Sequence, residues 1–69
     1  MNATTQQRGD ALRRMRESRG LTQKQLGDLI GVSQSTVDKY ESGIFDLKID
    51  KALKIVTALN CTLGDLMGA

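Results

Sequence analysis

Two glutamines, Gln23 and Gln34, each open a short amphipathic pattern, and a lone glycine, Gly31, lies between the two patterns. A glutamine amide can bind the edge of adenine in the major groove of DNA, and its N–H groups can also donate to a backbone phosphate. Two short helices joined by a sharp turn are the arrangement that lays one helix in a DNA groove. The stretch from Thr22 to Gly43 therefore predicts a helix-turn-helix.

The rest of the chain offers little for catalysis or metal binding. It has no histidine, and its one cysteine, Cys61, lies in an apolar context and has no partner for an intrachain disulfide or a thiolate metal cluster. The carboxylates are scattered, with no evident pairing in a cleft. We therefore expect no enzymatic activity, no catalytic residue, no metal site and no cofactor.

The N-terminus is polar and does not read as a signal peptide. No apolar run approaches the roughly 20 residues that a helix needs to cross a bilayer. These features, with a single cysteine, favour a reducing cytoplasm and no membrane partner.

Charge is distributed unevenly, although the net charge is only +2. Residues 1–24 hold six cations against two anions, residues 25–47 hold one against four, and residues 48–69 hold three against two. The basic N-terminal segment is a candidate contact for DNA phosphates. A solvated, arginine-rich helix face explains the same pattern, and charge alone favours that simpler interpretation.

Apolar spacings of three and four recur along the chain and predict an all-α fold of five helices with no strands. A chain of 69 residues forms one domain at most, and its core must be aliphatic because Tyr40 and Phe45 are the only aromatic residues. The predicted helices run from about Gln7 to Arg19, from Thr22 to Gly31, from Ser33 to Glu41 or Ser42, from about Asp50 to Asn60 and from Thr62 to Met67.

Apolar residues outside the motif indicate what else is buried. Residues 43–48 should form a loop that Ile44, Phe45 and Leu47 hold against the body of the domain. Residues 1–6 are expected to be flexible, and residues 68–69 look like the start of a linker. The expected core residues of the last two helices are Leu53, Val56 and Leu59, and then Leu63, Leu66 and Met67.

With these elements in place, the chain resembles the phage-repressor and Cro-like helix-turn-helix family, also called the XRE or lambda-repressor-like family. The resemblance covers about residues 9–67, and its flanks RGLTQ, YESG and ALNCTLGDLM match as well. It implies a compact five-helix DNA-binding domain whose helices 2 and 3 form the helix-turn-helix. Counted from Gln23, the motif's apolar positions are filled by Leu26, Ile30, Val32, Val37 and Tyr40, and its small residue and its turn glycine by Gly27 and Gly31.

The family usually has alanine where this chain has Gly27. The crossing of helices 2 and 3 should bring Gly27 close to Val37, so that a large side chain there would push the helices apart. Glycine inside a helix costs roughly 0.5–1 kcal/mol relative to alanine. We therefore expect a slightly weaker helix 2 and an unchanged fold.

The resemblance also implies an internal ion pair between Arg16 in helix 1 and Glu41 near the end of helix 3. The expected geometry is bidentate and partly buried, so that the pair ties helix 1 to helix 3. The alternative is two separate exposed charges.

By the same resemblance, helix 3 is the recognition helix, at about residues 34–42. Gln34 suits adenine and Lys39 suits guanine, whereas the hydroxyls of Ser35 and Thr36 are less selective. A simpler role for these hydroxyls is to solubilise and cap the helix. Asp38 stays open: it can point sideways, accept from cytosine or repel wrong registers. The expected base contacts are Gln34, Ser35, Thr36 and Lys39.

Phosphate contacts are expected around the start of helix 2. Free backbone N–H groups at a helix N-terminus attract anions, and the amide of Gln23 can add a donor there, supported by Thr22. Exposed cations on helix 1 and before helix 4 are further candidates. The expected phosphate contacts are Thr22, Gln23, Arg8, Arg13 and Lys48.

The function that the resemblance implies is a sequence-specific transcriptional regulator of phage or bacterial type, located in the cytoplasm. It would most often be a repressor that binds double-stranded DNA at a palindromic operator as a homodimer. In such repressors the last helices form the dimer interface, and the free domain can be a monomer that dimerises only on DNA. Three alternatives remain: the DNA-binding antitoxin of a toxin–antitoxin pair, the N-terminal domain of a longer phage repressor, and a helical protein-interaction module.

Overall fold

A computed structural model describes residues 4–67, which form five α-helices and no strand. The predicted all-α, five-helix fold is confirmed. The helices are α1 (Thr5–Ser18), α2 (Gln23–Ile30), α3 (Gln34–Glu41), α4 (Ile49–Leu59) and α5 (Leu63–Met67). No helix in this part of the chain is both long enough and apolar enough to span a membrane.

Helix α1 begins two residues earlier than expected, because Thr4 caps it. The Thr4 hydroxyl accepts from the backbone N–H of Gln7, and the Gln7 side chain accepts from the N–H of Thr4. This reciprocal capping box satisfies two backbone donors, which lets residues 5 and 6 form the first turn. The predicted flexibility of residues 1–6 otherwise falls on residues 1–3, which lie outside the described residues, as does the predicted linker at residues 68–69.

Helices α2 and α3 are bounded as the sequence predicts. Thr22 and Gln25 form a second capping box at the start of α2, and the Ser33 hydroxyl accepts from the N–H of Thr36 at the start of α3. Gly31 ends α2 in the left-handed conformation, with φ of 77°, which glycine adopts without steric cost. The turn between the two helices therefore spans only three residues, Gly31 to Ser33.

One aliphatic core joins all five helices and the loop before α4. The expected face of α4 was partly wrong: Leu53 is 51% exposed, whereas Ala52, Ile55 and Leu59 are buried. These three residues share one face at helical spacing. The sequence pattern therefore allowed two overlapping apolar stripes, and packing buried the stripe that contains Ala52 and not the one that contains Leu53. The buried apolar residues are Leu12, Leu26, Ile30, Val37, Tyr40, Leu47, Ala52, Ile55, Leu59 and Leu66.

Two of the three apolar residues that were expected to hold the loop between α3 and α4, Leu47 and Phe45, contact the body of the domain. Leu47 is buried as predicted, but Ile44 is 68% exposed and Phe45 is 42% exposed. Phe45 nevertheless packs its ring edge-to-face on Tyr40, which is buried in the core. Ile44 is the most exposed of the three.

Two glycines allow helices to approach backbone to backbone. A Cβ atom on Gly27 would lie 2.6 Å from the carbonyl oxygen of Val32, so Gly27 allows the turn to pass close to α2, and its expected contact with Val37 stays a prediction. A Cβ atom on Gly9 in α1 would lie 2.5 Å from the carbonyl oxygen of Tyr40 and 2.7 Å from that of Glu41. Alanine therefore fits neither position without a backbone shift, and α1 packs directly on the last turn of α3.

Candidate nucleic-acid interface

Helix α3 has a buried inner face and a polar outer face. Val37, Tyr40 and Glu41 are buried. Gln34 and Ser35, at the start of the helix, are exposed. Since positions three and four apart lie on one face of a helix, the outer row continues from these residues toward positions 38 and 39. The outer face is therefore free to approach a second molecule.

Thr36 differs from the other expected base contacts because it belongs to the helix cap. Its hydroxyl lies 3.0 Å from the hydroxyl of Ser33, and its N–H donates to that same oxygen. The side chain is half-buried. This arrangement is the capping role that the sequence offered as the simpler interpretation.

Lys39 is half-buried, and its ammonium group lies against an aromatic ring. The Nζ atom is 5.2 Å from the centroid of the Phe45 ring. The Phe45 ring in turn meets the Tyr40 ring edge-to-face, with centroids 6.0 Å apart and planes at 71°. The expected guanine-binding side chain therefore has a defined position at the end of α3.

Arg16 and Glu41 form a buried, bidentate ion pair between α1 and α3. Arg16 Nε lies 2.6 Å from Glu41 Oε2, and Arg16 Nη2 lies 3.1 Å from Glu41 Oε1. The side chains are only 10% and 5% exposed. The remaining Arg16 nitrogen donates to the carbonyl oxygen of Leu21 at 2.7 Å. Hydrogen bonding to Glu41 raises the pKa of Arg16, so the guanidinium stays charged although it is buried.

Gln23 connects this ion pair to the outer face of α3. Its Nε2 atom donates to Glu41 Oε1 and to Asp38 Oδ1, each at 3.2 Å. Asp38 therefore points sideways toward α2, which was one of the three orientations left open by the sequence. Because an amide nitrogen has two hydrogens, both donors of the Gln23 side chain are engaged.

The other expected phosphate contacts fall into two groups. Arg13 is exposed, lies 3.8 Å from Glu17, and shares a groove with Gln23 and Asp38 on one side of α3. Arg8 instead pairs with Asp46 of the loop, and its side chain is only 15% exposed.

The two remaining phosphate candidates lie before helices. Lys48 is exposed, precedes α4, and lines a second groove with Phe45. Thr22 is exposed at the cap of α2, beside the side chain of Gln23.

The possible metal ligands in residues 4–67 are carboxylates and the thiol of Cys61. No group of three or more possible metal ligands occurs among these residues. Burial raises the pKa of the half-buried Cys61 thiol, which keeps it protonated and poorly nucleophilic at neutral pH.

A family model described as helix-turn-helix matches residues 12–66, which is most of the chain. The chain belongs to the helix-turn-helix family. HTH-type transcriptional regulatory proteins are named among its relatives: one from Methanoregula boonei is 53% identical over 36 residues, and one from Methanospirillum hungatei is 47% identical over 47 residues. These matches cover 52% and 68% of this chain but only 11% and 15% of the relatives, so the chain spans a small part of their length.

Solved structures share the fold over nearly its whole extent. The restriction-modification controller protein C.AhdI from Aeromonas hydrophila has a TM-score of 0.85 and 32% identity, covering 90% of each chain. The P22 c2 repressor protein, solved with a synthetic operator, has a TM-score of 0.78 and 25% identity over 86% of this chain and 89% of its own. Hydroxypropylphosphonic acid epoxidase from S. wedmorenis matches at 0.86 over 94% of this chain but 35% of its own; at 23% identity it shares the fold alone.

Besides the hydrogen bonds of the Gln23 amide, three sets of contacts in this helix-turn-helix domain were not predicted from the sequence. They are the position of Phe45 beside Lys39, the pairing of Asp46 with Arg8, and hydrogen bonds from Arg19 to the carbonyl oxygens of Leu59 and Asn60. The last joins the end of α1 to carbonyl oxygens at the end of α4, 40 and 41 residues away in the chain, so local sequence gives no signal for it. The first two join residues of α1 or α3 to the loop, and no helical periodicity reports such contacts.

Proposed function

We propose that this helix-turn-helix domain is a sequence-specific, double-stranded DNA-binding transcriptional regulator that places α3 in the major groove. The observation that carries the proposal is the pairing of a polar, exposed outer face on α3 with an inner face fixed by the buried Arg16–Glu41 pair. A recognition helix must present its side chains in a fixed register, because a bidentate base contact tolerates little displacement. The fold that this domain shares with an operator-bound repressor supports the same conclusion.

The base contacts follow from what each side chain can donate and accept. Gln34 suits adenine through its amide, and Lys39 suits guanine O6 and N7. Ser35 is exposed and adds a less selective contact. Thr36 contributes least, because its hydroxyl is already occupied at the cap of α3.

The phosphate contacts come first from the start of α2 and from Arg13. The Gln25 N–H is engaged by the Thr22 cap, so the backbone donors for an anion at the start of α2 are the N–H groups that precede it in the first turn. The side chain of Gln23 can donate to a phosphate only by leaving one of its two carboxylate partners. Arg13, exposed in the same groove, adds a charge that draws a phosphate to this side of α3.

The remaining candidates are Lys48, Arg8 and Thr22. Lys48 is exposed and can reach a phosphate directly. Arg8 must first exchange Asp46 for the phosphate, so its contribution to the affinity is the smaller of the two. Thr22 supports the anion at the start of α2 through its hydroxyl hydrogen.

The domain works as a homodimer on a palindromic operator and represses transcription by occupying it. A single module buries a small area on DNA, about 600–1,000 Å², and a two-fold pair doubles this area and places half-sites about 34 Å apart. Site selection from random duplexes is expected to return a palindrome with this spacing. Equilibrium sedimentation with and without that duplex tests the dimer, and a reporter gene behind the operator tests the sign of regulation.

Two variants separate base readout from phosphate binding. Gln34→Ala should cost about 1–3 kcal/mol on the selected operator and relax the preference at one base position. Arg13→Ala should weaken binding to all sequences alike and reduce the slope of log K against log salt by about one unit. Lys54→Ala, at an exposed lysine of α4, is the matched control and should leave the base preferences unchanged. Identical base-preference profiles for Gln34→Ala and Arg13→Ala would reject the assignment.

A further inference from the structure

The loop after α3 leaves a large aromatic side chain beside the recognition helix. Phe45 is 42% exposed, although burial of a phenylalanine is usually favourable. Its ring packs edge-to-face on Tyr40, which is itself buried in the core. The ring is therefore held from one side and open on the other.

Three contacts join this loop to Lys39 in particular. The backbone N–H groups of Ile44 and Phe45 both donate to the carbonyl oxygen of Lys39, at 3.0 Å and 3.1 Å. The Phe45 ring then lies under the Lys39 ammonium, with Nζ 5.2 Å from the ring centroid. Backbone and side chain of Lys39 are thus both tied to the same two loop residues.

An ammonium group is attracted to the face of an aromatic ring, because the ring's quadrupole places negative charge there. A lysine side chain on a surface otherwise samples many rotamers, and a contact with a base requires it to give up that freedom. A ring that holds the ammonium in advance lowers this cost. The ring covers only one side of the ammonium, so its other N–H groups stay available to guanine.

We propose that Phe45 is a positioning residue for Lys39, so that the guanine preference of Lys39 depends on the Phe45 ring. The inference rests on the proposed function, in which Lys39 reads a base. Phe45 itself makes no contact with DNA in this mechanism. Its effect on sequence preference passes entirely through Lys39.

The test compares base preferences, measured on the selected operator with all four bases at each position. The variants are Phe45→Leu, Phe45→Tyr, Lys39→Met and the double variant Phe45→Leu with Lys39→Met. Leucine keeps an apolar side chain at the loop but has no ring, whereas tyrosine keeps the ring. Thermal melting of each variant shows whether the fold is retained.

Phe45→Leu is expected to reduce the guanine preference about two- to fivefold, the worth of an exposed cation–π contact, at the position where Lys39→Met abolishes it. Phe45→Tyr should keep the preference of the parent. In the Lys39→Met background, Phe45→Leu should have no further effect on that position. A proton NMR measurement on the protein without DNA gives an independent test. The Phe45 ring should shift the resonances of the Lys39 ε-methylene upfield, and Phe45→Leu should abolish that shift.

Each other result overturns the inference in a recognisable way. An unchanged preference in Phe45→Leu, or an absent ring shift in the parent, shows that the ring does not position Lys39. An effect at a different base position, or one that persists in the Lys39→Met background, shows that Phe45 contacts DNA itself. If the parent and Gln34→Ala bind all duplexes alike, the proposed function fails and the inference fails with it. If only the results expected for the Phe45 variants are not observed, the inference fails and the proposed function stands.

Discussion

Two arginines of α1 make ion pairs whose acid partners differ in solvent exposure. Arg16 pairs with Glu41 of α3, and both side chains are almost fully buried. Arg8 pairs with Asp46 of the loop after α3, and the Asp46 side chain is 51% exposed. Both pairs join α1 to the end of the helix-turn-helix, but only the first is enclosed by the core.

The difference lies in the acids: Glu41 is enclosed together with Arg16, whereas Asp46 leaves one side of its pair open to solvent. The buried pair also accepts a hydrogen bond from Gln23 and donates one to Leu21, so neither partner can turn to a phosphate without stranding the other. The Arg8–Asp46 pair, called the exposed pair because its carboxylate is open to solvent, is more accessible to water and salt. In the proposed function, a phosphate takes the place of Asp46. Charge counting treats Arg8 and Arg16 alike, and their side chains are similarly buried, at 15% and 10% exposed. The exposure of the acid partner divides the two pairs, at 51% for Asp46 and 5% for Glu41.

The largest expected effect comes from breaking the buried pair. Glu41→Ala should lower the free energy of unfolding by about 3–5 kcal/mol, because it leaves the Arg16 guanidinium buried without its counter-ion. Urea denaturation followed by circular dichroism measures the change. Asp46→Ala, which removes the acid of the exposed pair, is the matched control and should unfold close to the parent. A Glu41→Ala variant as stable as the parent would remove the distinction between the two pairs.

The sequence predicted the first of these pairs and not the second, for physical reasons. Family resemblance placed Arg16 opposite Glu41, and the apolar positions with Gly31 predicted the helix-turn-helix. These features repeat at helical spacings or at fixed motif positions. Asp46 lies in a loop whose path depends on where Leu47 enters the core, so no periodicity relates it to Arg8.

The sequence also predicted only part of the candidate site. Family resemblance indicated which residues of α3 face outward and that Glu41 faces inward, and the apolar residues Val37 and Tyr40 agree with that division. It could not indicate that the amide of Gln23 is engaged by two carboxylates, since that depends on distances between two helices. The choice of face on α4 likewise depended on packing, which buried Ala52 and left Leu53 exposed.

The next largest effect on stability should come from Gly9, which lets α1 pack closely on α3. Gly9 lies near both ion pairs. Gly9→Ala places a Cβ atom 2.5 Å from the carbonyl oxygen of Tyr40, so the helices must separate. We expect a loss of about 1–3 kcal/mol, typical of overpacking, despite the better helix propensity of alanine. Denaturant unfolding measures it. Arg14→Ala, at an exposed position of α1, is the control for propensity alone, and equal stabilities of the two variants would contradict the close approach.

A smaller effect should appear where the buried pair meets the outer face of α3, through Gln23. Asp38→Ala releases one hydrogen of the Gln23 amide, so DNA affinity should rise a few-fold for all sequences. Asp38→Asn removes the same charge but keeps an oxygen that can accept from Gln23, and it should therefore gain less. Binding isotherms on operator and scrambled duplexes measure both. If the gain of Asp38→Ala is unchanged in a Gln23→Ala background, it comes from charge alone and Gln23 is not the phosphate donor.

The smallest effect concerns acid and the exposed pair. The hydrogen bond from Arg8 lowers the pKa of Asp46 below its ordinary value of 3.8. A carboxyl whose pKa is lowered on folding stabilises the fold at pH values above the ordinary pKa, and this contribution is lost as pH falls through the folded pKa. Asp46→Asn should therefore melt slightly below the parent near neutral pH, and the gap should close as the medium is acidified.

Thermal melts in low salt, from about pH 6 to about pH 2, measure this gap. The comparison must be made as a difference between the two proteins, because the pKa of Asp65 is also lowered, by hydrogen bonds from Thr62, and the parent loses that contribution over the same range. Asp65 is unchanged in Asp46→Asn, so its effect cancels. A gap that stays constant with pH would mean that Asp46 acts by packing or through its hydrogen bond with Thr5, and the exposed pair would then contribute no charge interaction to the fold.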